Sequence, residues 1–251
     1  MTSTDITGRN AIVTGASRGF GRAIATSLSK AGAQVTGVAR DPAPLAELAA
    51  ELGGSFTPVS ADAADPVVTG RLIDEYQPSV LVLNAGAAPL SRPIQRHTWQ
   101  TFSRNWEVDV RHAFGWVREA LLAPLPPGSV VVVMSSGAAL RGSPLSGGYA
   151  GAKATIRFLT SYAVAESARD GLGIRFVSVL PQLTPATRLG AAAVAAYAAR
   201  QGLDVPGYLA EVGPTLTADQ VGSAITELIA DPGHDQDGYL LTAGGLSPLP
   251  Q

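Results

Sequence analysis

The sequence predicts an α/β fold in which a doubly wound parallel sheet is covered by helices on both faces. Short β-branched runs alternate with longer Ala- and Leu-rich stretches of helical period, the pattern of strands buried on two sides. A glycine-rich turn leads from the first strand-like run into the first helical stretch. A length of 251 residues, 46% of them hydrophobic and 15% charged, suits one domain spanning 1–251 and not an array of modules.

The strand-like runs are 11–14, 34–39, 55–60, 80–83, 129–134, 174–180 and 238–242, seven in all. The first helical stretch, 19–31, opens directly out of the glycine turn. The second begins where Asp41 precedes Pro42, an N-cap followed by proline at the first helical position. Helical period then fills 67–76, 98–123 and 148–170. The last helix, 218–230, is announced by Thr217 and Gln220 at capping-box spacing. Right-handed crossovers between these elements place ligands at the carboxyl ends of the strands. The segment 182–214 breaks the rhythm with an Ala-rich patch between prolines and glycines, and reads as a lid over the site with little local preference of its own.

The turn after the first strand contains Gly15, Ser17, Arg18, Gly19, Phe20 and Gly21. Its glycines let backbone approach a pyrophosphate, and the helix N-terminus points amides at it. At the end of the second strand an acid would grip a ribose, whereas an arginine would accept a 2′-phosphate. Arg40 stands there and Arg18 lies in the turn, which favours NADP(H); Asp41 next door keeps NAD open. Asp62 and Ala63 after the third strand, and Asn84, Ala85 and Gly86 after the fourth, stand where they would hold adenine and wall the crevice. Their other reading is ordinary turn chemistry.

The chain has two lysines, Lys30 and Lys153, and the second lies four residues after Tyr149. On a helix that spacing puts both side chains on one face. An ammonium there favours the phenolate and eases proton transfer, and it can also serve a ribose hydroxyl. Ser135 and Ser136 end the fifth strand, where a hydroxyl can steady a substrate oxygen or cap a turn. Of the two, Ser136 better suits the substrate.

Together the 14–21 turn, Asn84-Ala85-Gly86, Ser136, the Tyr149 and Lys153 pair, and Pro181 closely resemble the compact branch of the short-chain dehydrogenase/reductase family, over nearly the whole chain. The resemblance implies a Rossmann-type fold of about seven strands, a nicotinamide cofactor without metal, and a homotetramer or homodimer. It implies Tyr149 as general acid or base, Ser136 as the group orienting the carbonyl, and Lys153 as its aid to ionisation and the ligand of the nicotinamide ribose. Pro181, Leu183 and Thr184 fall on the cofactor side, with Thr187 a rival for the threonine. Two positions depart from the pattern. Asp109 stands where such proteins carry the asparagine that anchors a proton-relay water, and the relay is expected to survive with a shifted pH optimum, because a carboxylate near Lys153 competes with the phenolate for the ammonium. Gln182 replaces a glycine and either donates to substrate or nicotinamide amide or reshapes the hinge of the lid.

Other chemistries fit poorly. A net charge of −2 without basic runs speaks against nucleic acid and membrane surfaces, and the absence of cysteine removes thiolate chemistry. His97, His112 and His234 are too scattered for a metal and read as surface or satisfied helix residues. With no secretion-type leader apparent, the expected compartment is the cytoplasm. The expected activity is NADPH-dependent reduction of a ketone, apolar or 3-oxoacyl/polyketide-like, with Tyr197 and other apolar lid residues facing substrate or packed among themselves. An NAD-linked alcohol dehydrogenase and a catalytically idle NADP(H) sensor or scaffold are the alternatives.

Overall fold

All seven expected runs are strands in the computed structural model, which describes residues 5–250. They are β1 Asn10–Thr14, β2 Gln34–Ala39, β3 Phe56–Ser60, β4 Val80–Leu83, β5 Val130–Met134, β6 Arg175–Pro181 and β7 Gly238–Thr242. An eighth strand, β8 Gly245–Pro248, returns antiparallel along β7. Its sequence hides it, because Gly-Leu-Ser-Pro lacks the β-branched signature. An outermost strand tolerates proline because it has a neighbour on one side only. The order is β3-β2-β1-β4-β5-β6-β7-β8, so the chain steps outward from β1 to β3 and then jumps back to β4. The crevice of a doubly wound sheet opens at that reversal.

The helices are α1 Gly19–Lys30, α2 Pro42–Leu52, α3 Pro66–Tyr76, α4 Trp99–Asn105, α5 Arg111–Leu122, α6 Ala138–Arg141, α7 Tyr149–Arg169, α8 Arg188–Gln201, α9 Val205–Val212 and α10 Ala218–Ala230. They build two cores. Ile24, Leu45 and Ile225 of α1, α2 and α10 pack on one face of the sheet, and Leu72, Trp116 and Ile156 of α3, α5 and α7 on the other. Strand β5 shows why its run is apolar throughout: Val130, Val132 and Met134 enter the first core, Val131 and Val133 the second.

The capping signals act as read. Asp41 accepts from the Ala43 amide at 3.2 Å, and Thr217 and Gln220 close a reciprocal box at the start of α10. Two expectations need correcting. The 98–123 stretch is broken by a π-helical turn, Trp106–Val110, between α4 and α5. The 182–214 segment has firm local structure: Thr187 caps α8 and Asp204 caps α9, and Gly202 at φ +72° turns between them. Val194, Ala198 and Tyr208 form a small core of their own, with Tyr197 stacked on Tyr208 at 6.3 Å. Among the described residues no helix is long and apolar enough to cross a membrane.

Candidate active site

The glycine turn sits at the reversal between β1 and β4. Gly15 has φ +68°, and a Cβ on Gly21 would stand 2.2 Å from the Gly15 carbonyl oxygen, so both positions exclude a side chain. Arg18 precedes α1 in extended conformation, and no side chain caps that helix. The first-turn amides are thus left for a ligand, as a pyrophosphate requires. Arg18 and Arg40 are exposed on the rim, while the Asp41 carboxylate is committed to capping α2. A nicotinamide dinucleotide fits this arrangement.

The loop after β4 is stitched to the turn. Thr14 Oγ1 accepts from the amides of Asn84 at 2.9 Å and Ala85 at 3.1 Å, and Asn84 Nδ2 donates to the Thr14 carbonyl at 3.1 Å. The Asn84 side chain therefore holds the crevice wall in place from behind. Asp62 accepts from the Ala64 amide at 3.0 Å, and the Ala63 carbonyl accepts from Trp116 Nε1 at 2.9 Å. Of the two threonines, Thr187 approaches the glycine turn: its Cγ2 lies 3.4 Å from where a Cβ of Gly19 would be. Thr184 is buried and donates to the Leu216 carbonyl. Pro181 and Gln182 continue the sheet through backbone bonds, the Pro181 carbonyl accepting from Gly137 and the Gln182 amide donating to Leu241, each at 2.9 Å. Leu183 packs against the small core of α8 and α9.

Tyr149 opens α7, and Lys153 follows one turn later with its Nζ 5.7 Å from the Tyr149 ring centre. The ammonium is buried; it donates to the Met134 carbonyl at 3.1 Å and lies 3.3 Å from Asp109 Oδ2. Burial pulls Lys153 downward, but the Asp109 carboxylate and then Tyr149 hold it above its ordinary value of 10.5. Ser135 donates to the Lys153 carbonyl at 2.8 Å and is structural. Ser136 Oγ accepts from the Ala138 amide at 3.2 Å, which leaves its own proton free to donate.

Asp109 is delivered by the π-helical turn. It is 1% exposed, and its Oδ1 accepts from the Ala87 amide at 2.7 Å. Gly86 makes room for it, since a Cβ there would stand 3.0 Å from Oδ2. Asn105, which is not among the sequence-based candidates, has a buried Nδ2 that donates to the Ala87 carbonyl at 2.8 Å. The signal was its place four residues before Asp109, on the same helical face.

His97 is satisfied between Thr101 and the Arg92 carbonyl. His112 departs from expectation: it is buried and its Nε2 has no hydrogen-bond partner among the described residues. Burial, and secondarily the Lys153 charge, push it from 6.5 down to about 3. The folded protein therefore keeps it neutral while the unfolded chain takes up a proton below pH 6.5. Stability from this residue is complete above pH 6.5 and falls with acidification toward pH 3, by about tenfold in the folding equilibrium per pH unit. Urea midpoints at pH 5 and pH 7 are expected to differ less in His112→Leu than in the unmodified protein.

Tyr197 does not stand free over the site. Its hydroxyl is hydrogen-bonded to Ser143 Oγ, which also meets Ser146 Oγ at 3.0 Å, tying α8 to the loop that leads into Tyr149.

A family model described as short chain dehydrogenase matches residues 9–198. D-erythrulose reductase of Gallus gallus is 36% identical over 131 residues, 51% of this chain and 53% of that protein. L-xylulose reductase of Bos taurus is 31% identical over 183 residues, 72% of this chain and 74% of that one. A short chain dehydrogenase of Burkholderia cenocepacia J2315, solved in complex with NADP, superposes with a TM-score of 0.79 at 26% identity, covering 96% and 99% of the two chains. The family match extends from just before β1 into α8, through the glycine turn and the Tyr149 and Lys153 pair. The chain belongs to the short-chain dehydrogenase/reductase family of NAD(P)-dependent oxidoreductases.

Proposed function

We propose that the protein is an NADPH-dependent carbonyl reductase acting on a ketone, apolar or 3-oxoacyl/polyketide-like. The observation that carries this reading is the buried Lys153 ammonium one helical turn from Tyr149, with Ser136 at the end of the neighbouring strand β5. When bound, NADPH supplies the hydride. Tyr149 gives its phenolic proton to the carbonyl oxygen, and Ser136 donates a hydrogen bond to that oxygen as negative charge builds on it. Lys153 stabilises the phenolate left behind. The relatives named for D-erythrulose and L-xylulose reduction support a ketone as the reacting group.

The cofactor choice rests on Arg18 and Arg40 at the rim and on Asp41 being occupied elsewhere. Initial rates with NADPH and NADH, against a panel of ketones, test the activity and the preference together. NADPH is expected to be favoured, and Arg40→Ala to raise KM for NADPH about tenfold while leaving NADH unchanged. Equal use of NADH would return the NAD-linked dehydrogenase, and tight NADPH binding without turnover would favour a sensor.

In the same reading the chain forms a homodimer or homotetramer. Phe114 of α5 and Phe158 and Tyr162 of α7 are exposed at 52%, 57% and 62%, more apolar surface than a monomer's helices ordinarily leave in water. Sedimentation should show a multimer that Phe158→Glu dissociates.

A further inference from the structure

The mouth of the site carries charge that the catalytic step does not use. Three segments meet around the loop into Tyr149: 88–104 ahead of and within α4, 136–148 leading into Tyr149, and 182–202 through α8, with His97 against Gly147 and Tyr197 hydrogen-bonded to Ser143. They hold six arginines and no Asp or Glu, in a chain whose net charge is −2. The segments meet in a groove of about 240 Å³, walled by Pro93 and Ile94 from the first, Pro144 and Gly147 from the second, and Arg200 from the third. Gly147, on the groove wall, stands two residues before Tyr149 in the chain, so the loop that walls the groove runs directly into the start of α7.

Arg200 is the one charged wall of this groove. It is exposed and forms no ion pair among the described residues. A cation in the last turn of α8 suits the helix dipole, which explains a positive charge there. It does not explain why no carboxylate accompanies it in any of the three segments. Nor is its position loose. Tyr197 lies three residues earlier on the same helix face, and its bond to Ser143 holds that face against the 143–147 loop.

We propose that the substrate is a ketone bearing a carboxylate or phosphate at the end remote from the carbonyl, with that anion seated on Arg200. The apolar part of such a molecule runs along Pro93, Ile94 and Pro144, and the planar guanidinium fork matches either oxyanion. This rests on the reductase reading above and narrows it. Contact so far from the reacting carbon is alike in ground and transition states, so it acts on KM and not on kcat.

The test uses the full chain with NADPH, oxo-carboxylates of increasing length, keto-alcohol phosphates, and the methyl esters of the same acids. KM for the anions is expected to be about tenfold below that of the matched esters. Arg200→Gln should erase this advantage with kcat little changed, Arg200→Lys should restore part of it, and Arg200→Glu should reverse it. The larger advantage, carboxylate or phosphate, identifies the anion. Equal KM for acids and esters, or an equal effect of Arg200→Gln on both, overturns the inference while ester turnover leaves the reductase reading standing. If no ketone is turned over, the reductase reading fails separately. Calorimetry with NADP-saturated protein then decides: anion binding that Arg200→Gln abolishes supports the seat, and no binding overturns it.

Discussion

Tyr149→Phe is expected to lower kcat by roughly 10²- to 10⁴-fold while leaving NADPH affinity within about twofold of the unmodified protein. The variant loses one hydroxyl and keeps the ring that packs beside Lys153, so the ion pair with Asp109 and the start of α7 are preserved. In the proposed mechanism, what disappears is the proton that passes to the carbonyl oxygen. Fluorescence titration of NADPH alongside steady-state rates separates the two effects. A variant that retains more than about a tenth of kcat would remove Tyr149 from the acid role.

The second large effect concerns the buried pair. Asp109→Leu leaves the Lys153 ammonium without its carboxylate at a position 6% exposed, and is expected to cost about 3–5 kcal/mol of stability. Asp109→Asn keeps the shape and removes the charge, so it reports on pH and not on folding alone. In the unmodified protein Lys153 is held above 10.5, and its stabilising contribution is complete below that pH and lost as pH rises through the folded value. Without the carboxylate, burial acts unopposed by it and draws Lys153 downward, so the ammonium is surrendered at lower pH. The alkaline limb of the rate profile should therefore move to lower pH in Asp109→Asn. An unmoved limb would mean that Asp109 serves only as the acceptor for the Ala87 amide.

The sequence displayed the parts of the site whose physics is local. The glycine turn is legible because a strand must hand over to a helix within a few residues, and only glycine permits that approach. Tyr149 and Lys153 are legible because helical spacing alone puts them on one face. The sequence places Asp109 near Lys153, and the two stand 3.3 Å apart. What escaped depends on contacts between distant segments. Asn84 is read as holding adenine or walling the crevice, and the bond of its amide to Thr14, seventy residues away, is a contact the sequence does not display. Asn105 looked like any polar helix residue until the Ala87 carbonyl came within 2.8 Å. The Ala-rich 188–201 stretch has helical propensity but a weak amphipathic pattern, so its order comes from its caps and from Tyr197 and Tyr208 stacking. His112 lies just after the π-helical turn and is buried with its ring against Trp116, and neither its Nε2 nor that of His234 finds a hydrogen-bond partner among the described residues.

The two outermost strands share a property that bears on the life of the protein as a population of molecules. β3 contains Pro58 and β8 ends at Pro248. An open sheet exposes a row of unpaired backbone donors and acceptors at each end, and a second chain can add to that row and seed indefinite growth. Proline breaks the row of donors at both ends of this sheet. Each edge of the eight-stranded sheet thus lacks one donor that an added strand would need, which disfavours growth of the sheet from either flank.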